Sequence, residues 1–278
     1  MSIDLAAMVA FLRENPEASW NPLYDAIEEL ASTTRQEPFT NSIGMELVWI
    51  PPGRFMMGAS ATDKEAYDFE KPQHEVVLTR GFHLGKYPVT RGQYGEFVRA
   101  TGHKSAGKWE EPGFVQTDGH PVVNVSWEDA MSFCAWLSEG ESFSYRLPTE
   151  AEWEYSCRAG TLTPRYKGRK SLDKIAWYHT NSGGSTHAVG EKESNGWGLH
   201  DMLGNVWEWC FDYWSDKYSM DKCIDIVCLE EGTIRVIRVI RGGGWSLGAR
   251  YCRSAFRGRV DPSDAGASIG FRLARSSH

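Results

Sequence analysis

The chain has 278 residues, 41% of them hydrophobic, and a formal net charge of −7; that acidic balance argues against a nucleic-acid footprint. The length admits two average domains or one large irregular one, and no apolar run reaches the roughly 20 residues a membrane helix needs. Twelve Trp and 28 Gly point to a loop-rich domain, because glycine admits backbone angles other residues avoid and large aromatics pin loops where each indole N–H finds a partner.

Residues 1–38 differ from the rest. Leu5, Met8, Val9 and Leu12 stand at helical spacing. Leu23, Ile27 and Leu30 repeat it, with Asn21 before Pro22 as a helix start. The pattern predicts two short helices and a linker over residues 33–38, serving as a pad on the main body or as a hairpin that docks a partner. The stretch has no basic lead and no clean cleavage site, so no signal peptide is expected. A cytoplasmic protein is the expectation, with surface delivery through a partner left open.

From Asn41 the texture changes. Residues 45–50 (MELVWI) predict a strand, 51–53 (PPG) a turn, and 55–58 and 74–78 two further short strands. Thr90 opens a helix over 91–101. Ser126 opens another over 126–138, and Thr149 a third over 149–159, where Glu152 completes a capping box. Beyond Gly160 the chain is mostly turns, glycine and aromatics. The tandem triplet at 235–241 (RVIRVIR) reads as a strand with Arg235, Ile237, Val239 and Arg241 on one face and Val236, Arg238 and Ile240 on the other.

The six cysteines, Cys134, Cys157, Cys210, Cys223, Cys228 and Cys252, show no CxxC spacing. They read as reduced thiols, several of them buried, and no zinc site is expected. The histidines are His74, His83, His103, His120, His179, His187, His200 and His278. None pair three or four apart on a predicted helix, so no facing set suits a non-haem iron.

Seven blocks follow one another in order: residues 44–53 (GMELVWIPPG), 81–94 (GFHLGKYPVTRGQY), 121–127 (PVVNVSW), 146–155 (RLPTEAEWEY), 195–209 (NGWGLHDMLGNVWEW), 241–245 (RGGGW) and 270–272 (GFR). Together they resemble the formylglycine-generating, or sulfatase-modifying, family over roughly residues 41–275. The resemblance implies an α+β domain of irregular C-type-lectin-like fold with little regular secondary structure. In catalytic members two cysteines with four residues between them bind copper(I), which soft thiolates suit. Aligned on Arg257 and Pro262, those positions hold Ala249 and Ser254, and Cys252 between them is single. No copper is expected, and Cys252 reads as a small buried hydrophobe. The resemblance also implies a structural calcium loop, with side-chain oxygens from Asp201 and Glu208 and carbonyls from Gly204 and Val206, the hard ligands calcium prefers. The family's second calcium loop keeps Asn181 and Ser182 but has no Asp before Gly190.

Residues 241–275 are similar to the variable cassette of diversity-generating retroelement proteins. There a reverse transcriptase mutates template adenines, mostly in AAC codons, and the resulting NNC codons cannot encode Lys, Gln, Glu, Met or Trp. The cassette positions that would vary are Ser246, Leu247, Gly248, Arg250, Tyr251, Phe256, Gly258, Arg259, Val260, Asp261, Ser263, Asp264, Ala265, Gly266, Ala267 and Ser268. None is one of those five types, which supply 58 of the 278 residues. If positions drew on overall usage, chance absence would be on the order of 2%, although loops favour Gly, Ser and Asp in any case. Arg253, Arg257 and Arg272 read as struts that pair beneath the platform. The function expected is non-catalytic binding of a protein or other macromolecular ligand through residues 246–268, loops on a rigid scaffold, with Arg250, Tyr251, Phe256 and Arg259 as anchors. The alternative is a metal-dependent oxidoreductase of the formylglycine-generating or non-haem iron type, acting on a protein or peptide.

Overall fold

The computed structural model describes residues 5–15, 17–34, 36–168, 172–219, 221, 223–227 and 237–276. Helices α1 (Leu5–Glu14) and α2 (Asn21–Thr33) precede strands β1 (Phe39–Thr40), β2 (Glu46–Ile50), β3 (Gly53–Met57), β4 (His74–Leu78) and β5 (Phe82–Gly85). Helices α3 (Arg91–Thr101) and α4 (Trp127–Glu141), strand β6 (Tyr145–Arg146) and helices α5 (Glu150–Arg158) and α6 (Leu172–Ile175) follow. The last strands are β7 (Trp207–Tyr213), β8 (Cys223–Ile224), β9 (Arg238–Arg241), β10 (Arg257–Val260), β11 (Ile269–Gly270) and β12 (Ala274–Ser276).

The strands form three small sheets, ordered β1-β2-β5-β12-β6, β10-β9-β7-β11 and β3-β4-β8. The helix starts follow the expected caps. Thr90, Ser126 and Thr149 each accept from the amide three residues on, while Gln93, Asp129 and Glu152 reach back to the cap. Helix α4 runs beyond Ser138 to Glu141 and stops where Ser142 turns left-handed. Helix α2 includes Asn21, and Trp20 occupies the cap without a side-chain bond. Strand β5 has no alternating pattern because all four of its residues are buried between β2 and β12.

Strands β7 and β9 divide the interior. Trp209 and Ile240 face one apolar cluster with Tyr94, Phe133 and Phe271; Cys210 and Val239 face the other with Leu84 and Trp153. This is the two-residue alternation of a strand covered on both sides. Arg235 and Val236 of the tandem triplet, like Cys228 and His278, lie outside the described residues. A third cluster joins Leu12, Trp20, Leu23 and Ile27 to Val77 of β4 and Ile224 of β8, so the N-terminal helices form a pad on that sheet. Among the described residues no helix is long and apolar enough to cross a membrane.

Charged struts cross both clusters. Arg253 donates from both terminal nitrogens to Glu70 at 2.6 and 2.7 Å. Arg272 grips Glu208 twice at 2.6 Å, and Arg257 holds both oxygens of Glu150. Glu154 lies between Arg158 and Arg241 and also accepts the Gly58 amide at 2.9 Å. All four carboxylates are at most 4% exposed. Burial alone would raise the Glu154 carboxyl, but Arg158 and Arg241 together hold it below its usual value.

A depressed carboxyl contributes stability that is present above its unfolded pKa, about 4.3 for Glu, and is lost as pH falls through the folded value. Replacing Glu154 by Gln strands two buried guanidiniums. The variant is expected to lose roughly 3–5 kcal/mol in urea denaturation at pH 7 and to show a shallower loss of stability below pH ~4 than the parent.

Candidate ligand-binding site

The cassette leaves β9 through Gly242 and Gly243, both with positive φ. At Gly243 a Cβ would sit 2.9 Å from the Tyr251 carbonyl oxygen, so the turn requires glycine. The Trp245 indole donates to the Ala267 carbonyl at 3.0 Å, tying the two ends of the loop together, and Phe114 meets its ring edge-on. A short helical turn spans Ala249–Tyr251, and strand β10 then pairs with β9. The return segment is pinned by the Trp127 amide on Pro262, the Asn124 amide on Gly266 and the Trp207 amide on Ser268. Asp261 accepts from the Ser263 amide and hydroxyl, an Asx turn.

This scaffold sorts the sixteen cassette positions. Ser246, Gly248, Arg250, Arg259, Ser263 and Asp264 are exposed, while Leu247, Tyr251, Gly258, Val260, Asp261, Ala265, Gly266, Ala267 and Ser268 are half-buried. Phe256, expected as an anchor, is instead 6% exposed. It packs against Tyr67, Phe69, Trp207 and Tyr251, which cover its ring. Phe256 therefore supports the surface from below.

Three aromatics outside the cassette border it and carried no signal in the sequence reading. Tyr67 stacks on Phe69 with centroids 5.2 Å apart, and Phe69 meets Trp214 edge-on at 5.6 Å. All three are half-buried. Arg250 lies over Tyr67 at 4.0 Å, and Arg259 lies 5.3 Å from the Trp214 ring. The alternation Tyr67-Asp-Phe69-Glu70, with only Glu70 buried against Arg253, was the available clue.

The residues at the positions of the family's thiolate pair do not fit copper. Ala249 offers no side-chain donor. Ser254 is fully buried, its hydroxyl accepting from the Cys157 thiol at 3.4 Å. Cys252 is fully buried, and burial pushes its thiol up to about 12, away from the thiolate that metals bind.

The four expected calcium ligands are partly committed within the protein. Both Glu208 oxygens are held by Arg272, and one also accepts the Trp153 indole at 2.7 Å. Asp201 is buried with a left-handed backbone and accepts from the Gly190 amide at 2.7 Å and from Asn205 at 3.4 Å. Burial raises its carboxyl above the usual value, against the opposing pull of the Gly190 amide and Arg272. The Gly204 turn is too close to the Trp177 carbonyl, 2.3 Å from a hypothetical Cβ, for any side chain. Asp201 thus has the burial of a cation ligand but a disfavoured charged form and oxygens that already accept from Gly190 and Asn205, while Glu208 in this arrangement serves Arg272.

Fold and site together define a loop-rich α+β protein carrying a pinned surface loop. The sulfatase-modifying factor enzyme 1-like domain family matches residues 33–277. The chain belongs to that family. It is 31% identical to the formylglycine-generating enzyme of Streptomyces coelicolor over 83% of this chain and 89% of that protein. Among solved structures it is similar to PvdO from Pseudomonas aeruginosa, with TM-score 0.80 and 33% identity over 87% of this chain and 98% of that one. It is also similar to Treponema denticola variable protein 1, with TM-score 0.74 and 26% identity over 87% and 99% of the two chains.

Iodoacetamide at pH 8 should leave Cys252 unmodified in the folded protein and label it only after denaturation, as read by peptide mass spectrometry. Labelling of native Cys252 as fast as half-buried Cys223 would contradict this placement.

Proposed function

We propose that this chain is a non-catalytic ligand-binding protein that contacts a macromolecular partner through residues 246–268 and owes the diversity of that surface to a retroelement. One observation carries the reading: a loop of small, polar and Arg residues faces outward on a scaffold that pins it from below at many points. Such a surface tolerates substitution because its exposed side chains carry none of the fold. The replacement of both thiolate positions by Ala249 and Ser254 supports loss of the oxidase chemistry, and the likeness to a protein called variable protein 1 supports the cassette.

The expected genetic signature is a reverse-transcriptase gene beside this one, with a near-identical copy of the 3′ end that differs at adenines. A complete genome without that copy sinks the retroelement part. Exchanging the exposed residues of 246–268 for another member's should change which partner is bound while leaving thermal stability within a few degrees.

The family's enzymes favour a second reading, an oxidoreductase acting on a protein or peptide. Stoichiometric copper or iron binding, with turnover of a sulfatase-type cysteine peptide, would establish it in place of the first.

Asp201, with the Gly204 and Val206 carbonyls, is the proposed seat of a structural calcium ion. A buried carboxyl whose pKa is raised loses stability as pH rises through that value, and a bound cation offsets the loss. Millimolar calcium is expected to raise the melting temperature of the parent but not of Asp201→Asn, while Asp201→Asn melts higher than the parent in chelator. Equal melting curves for the parent with calcium and with chelator would remove calcium from the account.

A further inference from the structure

We propose that the cassette's ligand is an extended peptide segment that seats a bulky apolar side chain in the cavity lined by Phe69 and Trp214 and an acidic side chain on Arg250. The proposal rests on the binding-protein reading above and names the chemistry of its partner.

The first support is a pocket. A cavity of about 270 Å3 is lined by the contacting rings of Phe69 and Trp214, with Asp216, Arg257, Gly258 and Arg259 completing its wall. The buried guanidinium of that wall is already engaged, and its exposed ion pair lies at the mouth. Arg257 donates to both Glu150 oxygens and to the carbonyls of Phe69 and Ser215. Asp216 accepts from the Trp214 indole at 2.8 Å and from Arg259 at 2.9 Å. What the wall offers an occupant is therefore ring and backbone surface, which an aliphatic or aromatic side chain fills. Anchors of this kind carry most of the energy of protein interfaces.

The second support is charge. Arg250 is exposed and rests its guanidinium on Tyr67, with its Nε on the Glu65 carbonyl. Among the described residues no carboxylate stands within ion-pair distance of it. It marks the far end of the ring series that begins at the pocket, one step of 5.2 Å and one of 5.6 Å away. With the further 4.0 Å from Tyr67 to the guanidinium, the two contact points lie at most about 15 Å apart, within about four residues of extended chain at ~3.3 Å each. A sugar would need an open ring face, whereas Tyr67 is already stacked on Phe69 and capped by Arg250.

The third support is the division between fixed and variable residues. Phe69 and Trp214 lie outside the cassette and Arg250 and Arg259 within it. The scaffold supplies the two aromatic walls of the pocket, and diversification changes its remaining wall at Gly258 and Arg259 and the rim that decides which neighbouring residues are accepted.

The test uses the full chain as bait for a phage-displayed library of random linear peptides, with fluorescein-labelled synthetic versions of enriched clones measured by fluorescence polarisation. Enriched peptides are expected to carry Leu, Phe or Trp two to four residues from Asp or Glu. Trp214→Ala should weaken them at least tenfold. Because Trp214 also stacks on buried Arg257, the surface variant Arg250→Glu provides an independent arm: reselection against it should replace the acidic residue by Lys or Arg and keep the apolar one. Peptides whose binding ignores both substitutions, yet is lost when residues 261–268 are exchanged, would overturn the proposal and leave the binding reading standing. Cassette-dependent binding of an arrayed glycan in place of any peptide would do the same. If neither library yields a cassette-dependent binder, both fall.

Discussion

The structure depends on buried arginine–carboxylate pairs that join the C-terminal third to segments far away in sequence. Arg241 reaches Glu154 across 87 residues, Arg253 reaches Glu70 across 183, Arg257 reaches Glu150 across 107 and Arg272 reaches Glu208 across 64. Most strands here have two to five residues, too few for ladders alone to fix how the loops lie over one another. A planar guanidinium gripping both oxygens of a carboxylate sets distance and orientation together. Removing such charges from water is costly, so the pairs contribute more to which arrangement is adopted than to how stable it is.

That division of labour explains how one short segment can be both rigid and permissive. Between Trp245 and Ile269, the residues that turn inward are Cys252, Arg253, Ser254, Ala255, Phe256 and Arg257, all buried. The fully exposed residues are small, polar or flexible and share no strut with the interior, while Leu247, Tyr251 and Val260 pack partly on the core. Substitution at the exposed set touches no buried pair and opens no cavity, the two usual routes to large destabilisation. A change at Arg253 or Arg257 would strand Glu70 or Glu150 in the core.

Part of this was legible in the sequence. The caps at Thr90, Ser126 and Thr149 were readable because capping is local: one hydroxyl, one amide and one acid or amide side chain within four residues. Strand β4 was readable because it is a bounded run rich in β-branched residues. Strand β5 was not, since a central strand buried on both faces has no periodicity to detect. The roles of Arg253, Arg257 and Arg272 could be inferred from their lying among apolar and glycine positions, where an unpaired charge is untenable. Their partners could not, because nothing local links Arg253 to Glu70. Phe256 was misplaced for a related reason: the rings that cover it, Tyr67, Phe69 and Trp207, come from distant parts of the chain. Tyr67, Phe69 and Trp214 become a surface only when two loops more than 140 residues apart meet.

The loss of the thiolate pair fits the same logic. A cysteine that binds metal needs a stabilised thiolate, and so some exposure or a nearby positive charge free to act on it. In this chain the positive charges below the cassette are spent on carboxylates. Cys252 is sealed from water with its thiol pushed to about 12, and the Ser254 hydroxyl turns away from the surface toward Cys157. The interior has thus been organised to keep its sulfur neutral. An arrangement that holds thiols inert and commits each buried cation to holding a loop in place is suited to presenting a surface, and restoring a single cysteine at Ala249 would leave that electrostatic setting unchanged.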